Sequence, residues 1–251
     1  MSNGWRLVLF FLGAAGLACM YALAIARMPG PHASPYGEAI NQLSSPQRHV
    51  TDAITAVNFD YRGFDTLGEE FILFVSVMGS IVLLREAHEK KKESRPDGIT
   101  PRRVVGPTDA VRVWTLAMTG PVVLFGVYVI IHGQLTPGGG FQGGVILATA
   151  PLLIYLVESY DVFKRVTSNP LIEVTEAIGA GGYAVLGLLG CFIGSWFLQN
   201  VLPLGEQNQP NILSGGTVPL INLAVGIEVA AGFTLLLSGF LQSLLAEEEH
   251  Q

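Results

Sequence analysis

Six apolar runs, at about residues 7–26, 67–84, 111–132, 143–160, 174–198 and 219–245, take up about half of this 251-residue chain. Each is long enough, or nearly so, to cross a bilayer. In lipid every backbone polar group must be bonded within the protein, so the runs predict an all-α integral membrane protein of about six transmembrane helices. Composition agrees, with 50% of residues hydrophobic, 14% charged and a mean hydropathy of +0.47. The net charge of −6 then belongs to loops and ends, and without a basic field the chain is not a nucleic-acid binder. Cys19 and Cys191 fall inside apolar runs with no Cys or His at metal-ligand spacing, so they read as packed thiols, and no metal site is expected.

The second run is the shortest, because its uncharged part, Phe71 to Leu84, has only 14 residues. It is expected to be short, tilted, or completed by protein-buried backbone at its outer end. In the first run, Arg6 and the later Ala22-Leu23-Ala24 fit a signal peptide. The apolar stretch is longer than a signal peptide usually carries, which favours a retained helix. With the N-terminus inside, eleven of the 14 basic residues fall in inner segments: Arg6, Arg85, Lys90, Lys91, Lys92, Arg95, Arg102, Arg103, Arg112, Lys164 and Arg165. Arg27, Arg48 and Arg62 fall outside. The positive-inside rule therefore puts both termini in the cytoplasm.

From Arg85 to Arg103 the chain carries charge, Pro96, Gly98 and Pro101 without apolar periodicity. This reads as a cytoplasmic linker, residues 91–106, between a two-helix module (1–90) and a four-helix module (107–251). In the first module Ser45-Pro46 reads as a helix start, with Val50, Ala53, Ile54 and Val57 on one face of a short amphipathic helix.

Carboxylates inside or beside the runs are the candidates for chemistry. Glu69 and Glu70 open the second run, and from Glu69 a helical stripe passes through Leu73, Ser76 and Ser80. Such oxygens suit the outer mouth of a cation or proton path, while the alternative is a pair of acids that cap a helix N-terminus. Glu228 lies nine residues past Pro219, about 14 Å below the outer boundary and near the middle of the hydrocarbon. An ionisable group there points to ion passage or subunit bonding, or to a protonated Glu bonded to a neighbouring helix. Glu158, Asp161, Glu173 and Glu176 gather near the inner boundary, as helix-dipole acids or as an acidic vestibule. His132, at the outer end of the third run, reads as an interfacial anchor or as a proton relay.

Glycines and prolines supply the rest of the pattern. Pro121 frees the carbonyl of Ala117 and Pro151 that of Leu147, to kink a helix or to ligate a cation. Gly190 and Gly194 form a Gly-x-x-x-Gly pair, a face for another helix. The connector Pro137-Gly138-Gly139-Gly140-Phe141-Gln142-Gly143-Gly144 must turn sharply, and it lacks the Lys-Ser/Thr of a phosphate loop.

The stretch His132 to Gly144, HGQLTPGGGFQGG, resembles the signature of the B subunit of the multi-subunit Mrp (or Mnh) sodium/proton antiporters, and the four spans from about 108 to 245 match that subunit in size and layout. Val57 to Glu69, VNFDYRGFDTLGE, is similar to the two-helix segment that ends the large A subunit, which a small separate subunit (MbhE-like) replaces in membrane-bound hydrogenases. The chain thus resembles an A-subunit tail fused to a B subunit. The resemblance implies an accessory subunit with no reaction of its own and no cofactor. It also implies a bacterial cytoplasmic membrane, transported Na+ and H+, and partners among large A- and D-type and small C, E, F and G subunits. By motif it carries over Asp60, Arg62, Asp65 and Glu69 from the tail, with Arg62 pairing Asp65 or Glu69, and Pro137, Phe141 and Gln142 from the loop. Gln134 stands where the motif is expected to carry a His. The alternatives are a membrane-arm subunit of a hydrogenase-type respiratory complex and a pure assembly scaffold.

Overall fold

A computed structural model describes residues 3–27, 35–92, 107–158, 160–167, 169–193, 195–206 and 211–248. The chain is a multi-pass membrane protein. Among the described residues five helical segments are long and apolar enough to span a membrane, at Gly63–Leu84, Asp109–Ile131, Gly140–Val157, Pro170–Phe192 and Val218–Leu241, with a shorter apolar helix at Phe10–Ala26. Two compact units divide the chain, residues 1–39 and 40–251. The first contains helix α1 (Asn3–Ala26) and the start of α2 (Pro35–Arg48).

The second unit follows with α3 (Ala53–Ala56), a π-helical turn (Val57–Tyr61), α4 (Gly63–Lys92), α5 (Asp109–Ile131), α6 (Gly140–Val157), α7 (Tyr160–Val166), α8 (Asn169–Phe192) and α9 (Val218–Glu248). At its centre is α9, whose span is the most buried of the five. Glycines set how closely its neighbours approach. A Cβ on Gly140 would lie 2.4 Å from the Asn222 carbonyl oxygen, one on Gly144 2.8 Å from that of Gly226, and one on Gly179 2.5 Å from the Glu228 nitrogen. Residues 140 and 144 of α6 meet 222 and 226 of α9, so these helices run parallel. Positions 179 and 182 of α8 meet 228 and 224, so α8 is antiparallel. Val77 and Leu84 of α4 lie by Gly232 and Gly239, which makes α4 parallel to α9. The second helix of the expected two-helix module, α4, therefore packs with the four-helix module in one unit, along α9. Of the expected linker, Lys91 and Lys92 end α4, and 93–106 lie outside the described residues.

Several expectations need correction. Ser45 and Pro46 do not start a helix, since they lie in the last turn of α2, which ends at Arg48 before His49 adopts φ 56°. Asp52 is the cap instead, accepting from the Thr55 N–H at 2.8 Å, and Ile54 faces outward while Val50 is fully buried. The second span is not short, because α4 begins at Gly63 and its candidate membrane segment, which takes in Asp65, Glu69 and Glu70 at the outer end, extends for 22 residues. Gly140 to Gly144 form the first turn of α6 rather than a connector, and the turn itself is made by Gly138 and Gly139 at φ 153° and 131°. The fifth span ends at Phe192, where the chain folds back on its own helix with the Leu198 N–H donating to the Gly187 carbonyl at 2.9 Å. Gly190 serves that return, as its Cβ would strike the Trp196 carbonyl, and it is not a face for another helix; Gly194 lies outside the described residues. Cys19 and Cys191 are free and exposed rather than packed. Against lipid a thiol needs no core around it. Helices α5 and α6 continue through Pro121 and Pro151.

Candidate functional site

The segment just before the first motif, residues 51–55, clasps the start of the second at one end of the unit. The Thr51 and Asp52 N–H groups donate to the Gln134 carbonyl at 3.0 and 3.2 Å. The Thr51 hydroxyl donates to the Leu135 carbonyl at 2.6 Å and the Thr55 hydroxyl to the Gly133 carbonyl at 2.7 Å. Gln134 is wholly buried, and its side-chain amide donates to the Ile212 carbonyl at 2.7 Å, so this residue ties loops together where the motif suggested a His. Asn222 on α9 accepts from the Gly140 N–H at 2.9 Å and so fixes the first turn of α6.

Under the clasp lies a cavity of about 280 Å³ lined by Thr55, Asn58, Thr66, Glu69, Glu70 and Gln142, with Gly138, Gly139 and Phe141 among its walls. The structure thus joins Glu69 of one motif to Gly138, Gly139, Phe141 and Gln142 of the other. It also corrects the stripe. Glu69 and Ser76 are exposed, and the Ser76 hydroxyl donates to the Ile72 carbonyl at 2.6 Å within its own helix. Glu70 turns inward instead, only 4% exposed, on the face that carries Leu67, Val77 and Ile81.

Below Glu70 two more carboxylates are enclosed, Glu228 and Glu176, each 0% exposed. Both oxygens of each, and Oε2 of Glu70, have no hydrogen-bond partner among the described residues. Glu70 and Glu176 both lie near enough to Glu228 for their charges to act on it. The α8–α9 contact houses the lower two reciprocally. Glu228 sits where Gly179 leaves no side chain, and Glu176 Oε1 lies 3.0 Å from where a Gly232 Cβ would be. Glu70 is level with Val225 of α9 and Glu176 with Gly232, so the three acids descend by about 10 Å along the helix axis.

The other candidates lie apart from this row. Asp60 pairs with the Arg48 guanidinium at 3.1 Å and accepts from the Asn200 amide at 2.9 Å. Arg62 donates from Nε to Asp65 at 2.7 Å, and the sequence allowed either that partner or Glu69. Asp60 and Arg62 line a separate cavity of about 490 Å³ with Arg48, Asn200 and Trp196. Two guanidinium groups make it a poor place for a cation. Glu158 receives a fork from Arg112, at 2.7 and 2.8 Å, which neutralises it and argues against an acidic vestibule there. The side chain of Asp161 lies outside the described residues. His132 caps α5, donating from Nδ1 to the Tyr128 carbonyl at 3.1 Å and stacking on the Tyr128 ring, and it does not line the cavity. Pro137 is an exposed residue of the turn. Among the described residues no group of three His, Cys, Asp or Glu is arranged to hold a metal ion as a resident ligand set.

A family model described as a domain related to the MnhB subunit of Na+/H+ antiporter matches residues 110–235. An uncharacterized protein of Methanocaldococcus jannaschii is 30% identical over 238 residues, 87% of this chain and 85% of that protein. A probable K(+)/H(+) antiporter A/B subunit of Rhizobium meliloti is 26% identical over 211 residues, which are 76% of this chain and 20% of that much longer protein. In the structure of the membrane-bound sulfane sulfur reductase, an archaeal respiratory membrane complex, one chain superposes with a TM-score of 0.71 at 30% identity, over 94% of this chain and 98% of that one.

Proposed function

Because the chain belongs to the family of domains related to the MnhB subunit of Na+/H+ antiporters, we propose that it is an accessory membrane subunit of a multi-subunit sodium/proton antiporter whose own interior forms part of the ion path. The observation that carries the second half is the row Glu70, Glu228 and Glu176, buried with unpaired carboxylate oxygens. A bare carboxylate in hydrocarbon is expensive, and a row of three persists only if protons or cations neutralise it. An ion-conducting interior uses such groups, whereas a purely structural helix contact would be better served by apolar or mutually bonded side chains.

The partners are the larger antiporter-like subunits and the small membrane subunits of the same complex. The chain itself carries no reaction and no cofactor. The ends of α4 and α9 lie on the side rich in Lys and Arg, which we assign to the cytoplasm of a bacterial cell. The A-tail and B-subunit fusion is supported by the A/B relative, which spans both kinds of segment by its name. A second reading, a membrane-arm subunit of a respiratory complex, is favoured by the superposition over nearly the whole of a chain from such a complex. Purification of the native complex separates the two, since redox subunits holding metal centres accompany the chain only in the second.

The ion path is tested in everted vesicles bearing the whole complex, by sodium-dependent collapse of a proton gradient, with assembly followed on a native gel. Glu228→Gln is expected to lower exchange at least tenfold in an assembled complex. Unchanged exchange in both Glu228→Gln and Glu69→Gln complexes would leave the chain as a scaffold.

A further inference from the structure

We infer that the cavity under the clasp is a binding site for a partly dehydrated monovalent metal cation, with Glu70 as its charged ligand and Thr55, Asn58, Thr66 and Gln142 as its neutral oxygen ligands. This rests on the ion-path reading and names the ion class and the place where it is held. Size is the first argument. At about 30 Å³ per water the 280 Å³ cavity has room for about nine waters, ample for an ion with part of its shell and small for a metabolite. Chemistry is the second. Its polar lining consists of hydroxyl, amide and carboxylate side chains, the oxygen donors a hard cation takes, and none of the lining residues is Lys, Arg or His. The Thr55 hydroxyl gives its proton to the Gly133 carbonyl, which commits its oxygen to accepting from, or ligating, anything else it meets.

Charge is the third. Glu70 is 4% exposed with Oε2 unpartnered, no side chain lining the cavity supplies a cation to pair it, and a bound metal cation can take that place in exchange for a proton. One buried carboxylate matches one unit charge. Glu69, exposed at the rim, adds a second carboxylate that draws cations toward the opening. The glycine loop completes the site by what it lacks. A Cβ on Gly139, which is at φ 131°, would stand 3.3 Å from Gln142 Oε1 and 3.2 Å from Asn222 Oδ1, so any larger residue crowds the amide that faces the cavity. A motif with no nucleotide to bind thereby acquires a reason for its glycines.

The test is equilibrium binding of radioactive sodium to the purified, assembled complex, wild type against Glu70→Gln and Gln142→Leu, with potassium, magnesium and choline as competitors. The expected result is one site fewer per complex in Glu70→Gln and at least tenfold weaker binding in Gln142→Leu. Equal site counts in wild type and Glu70→Gln overturn the site, as does displacement by magnesium alone. Exchange assays on the same preparations separate this from the ion-path reading. Binding lost with exchange intact leaves the site and removes the path; binding intact with exchange lost does the reverse. Should Glu70→Gln fail to assemble, Phe141→Cys in a complex otherwise free of cysteine serves as a footprint. Sodium must slow its reaction with a small thiol reagent severalfold relative to choline, and equal rates overturn the proposal.

Discussion

Glu69 and Glu70 are adjacent, and the protein treats them oppositely. Adjacent residues on a helix point about 100° apart, so at most one of the pair can join the buried stripe. The sequence reading starts the stripe at Glu69 and carries it through Leu73, Ser76 and Ser80, because oxygen atoms on one face suit a cation path. Ser76 meets its own helix at the Ile72 carbonyl and so tolerates an exposed position. The apolar positions Leu67, Val77 and Ile81 carry the correct phase, and that phase selects Glu70. Glu176 is read from sequence as a helix-dipole acid or part of an acidic vestibule, and the structure buries it instead. It lies seven residues into α8, beyond the reach of the helix dipole, and its spacing to Gly179 and Tyr183 places it on the packed face. Glu228 is legible because mid-span depth is a matter of counting. At this scale Thr55 is the most exposed to test. Thr55→Val leaves the Gly133 carbonyl buried without its donor, and a loss of about 1–3 kcal/mol in the thermal or denaturant stability of the purified complex is expected. Unaltered stability would mean that the clasp does not hold residues 51–55 to the second motif.

Among the elements, the helix classes are written in hydrophobicity, and the contacts are written in glycines. Length and hydropathy give the five later spans to within a few residues, except where glycine or a return loop moves an end, as at Gly140 and Phe192. Which glycine faces which helix is not readable from a Gly-x-x-x-Gly spacing, because the same absence of a Cβ serves a helix partner at Gly179 and a returning loop at Gly190. The two sites therefore respond to different changes. Gly179→Leu is expected to push α8 off α9 at Glu228 and abolish assembly on a native gel, and Gly179→Ala to destabilise by about 1–3 kcal/mol through overpacking. Gly181, which has open space where its Cβ would be, is the matched control, and Gly181→Ala is expected to leave assembly and melting unchanged. Equal behaviour of the two alanine variants would show that the α8–α9 approach is looser than described.

For the whole molecule, the sequence supplies two motifs and a break between them, and the fold shows the break to be one of chain and not of packing. Helix α4 lies along α9, and the clasp joins residues 51–55 to 133–135. Cut within residues 93–106 and produced as two chains, the halves are expected to co-purify from membranes, with separation on mild detergent extraction as the contrary result. In a cell, however, the intact chain does more than hold its halves in contact. Two polypeptides made separately meet at a rate set by their abundance in the bilayer, and an excess of either leaves an unpaired acid exposed to lipid. A single translation product delivers both motifs in a ratio of one to one and at an effective concentration set by tether length alone. The wall of the cavity that bears Glu70 and the helical turn that bears Gln142 are then never present without each other, and the number of finished sites equals the number of chains synthesised.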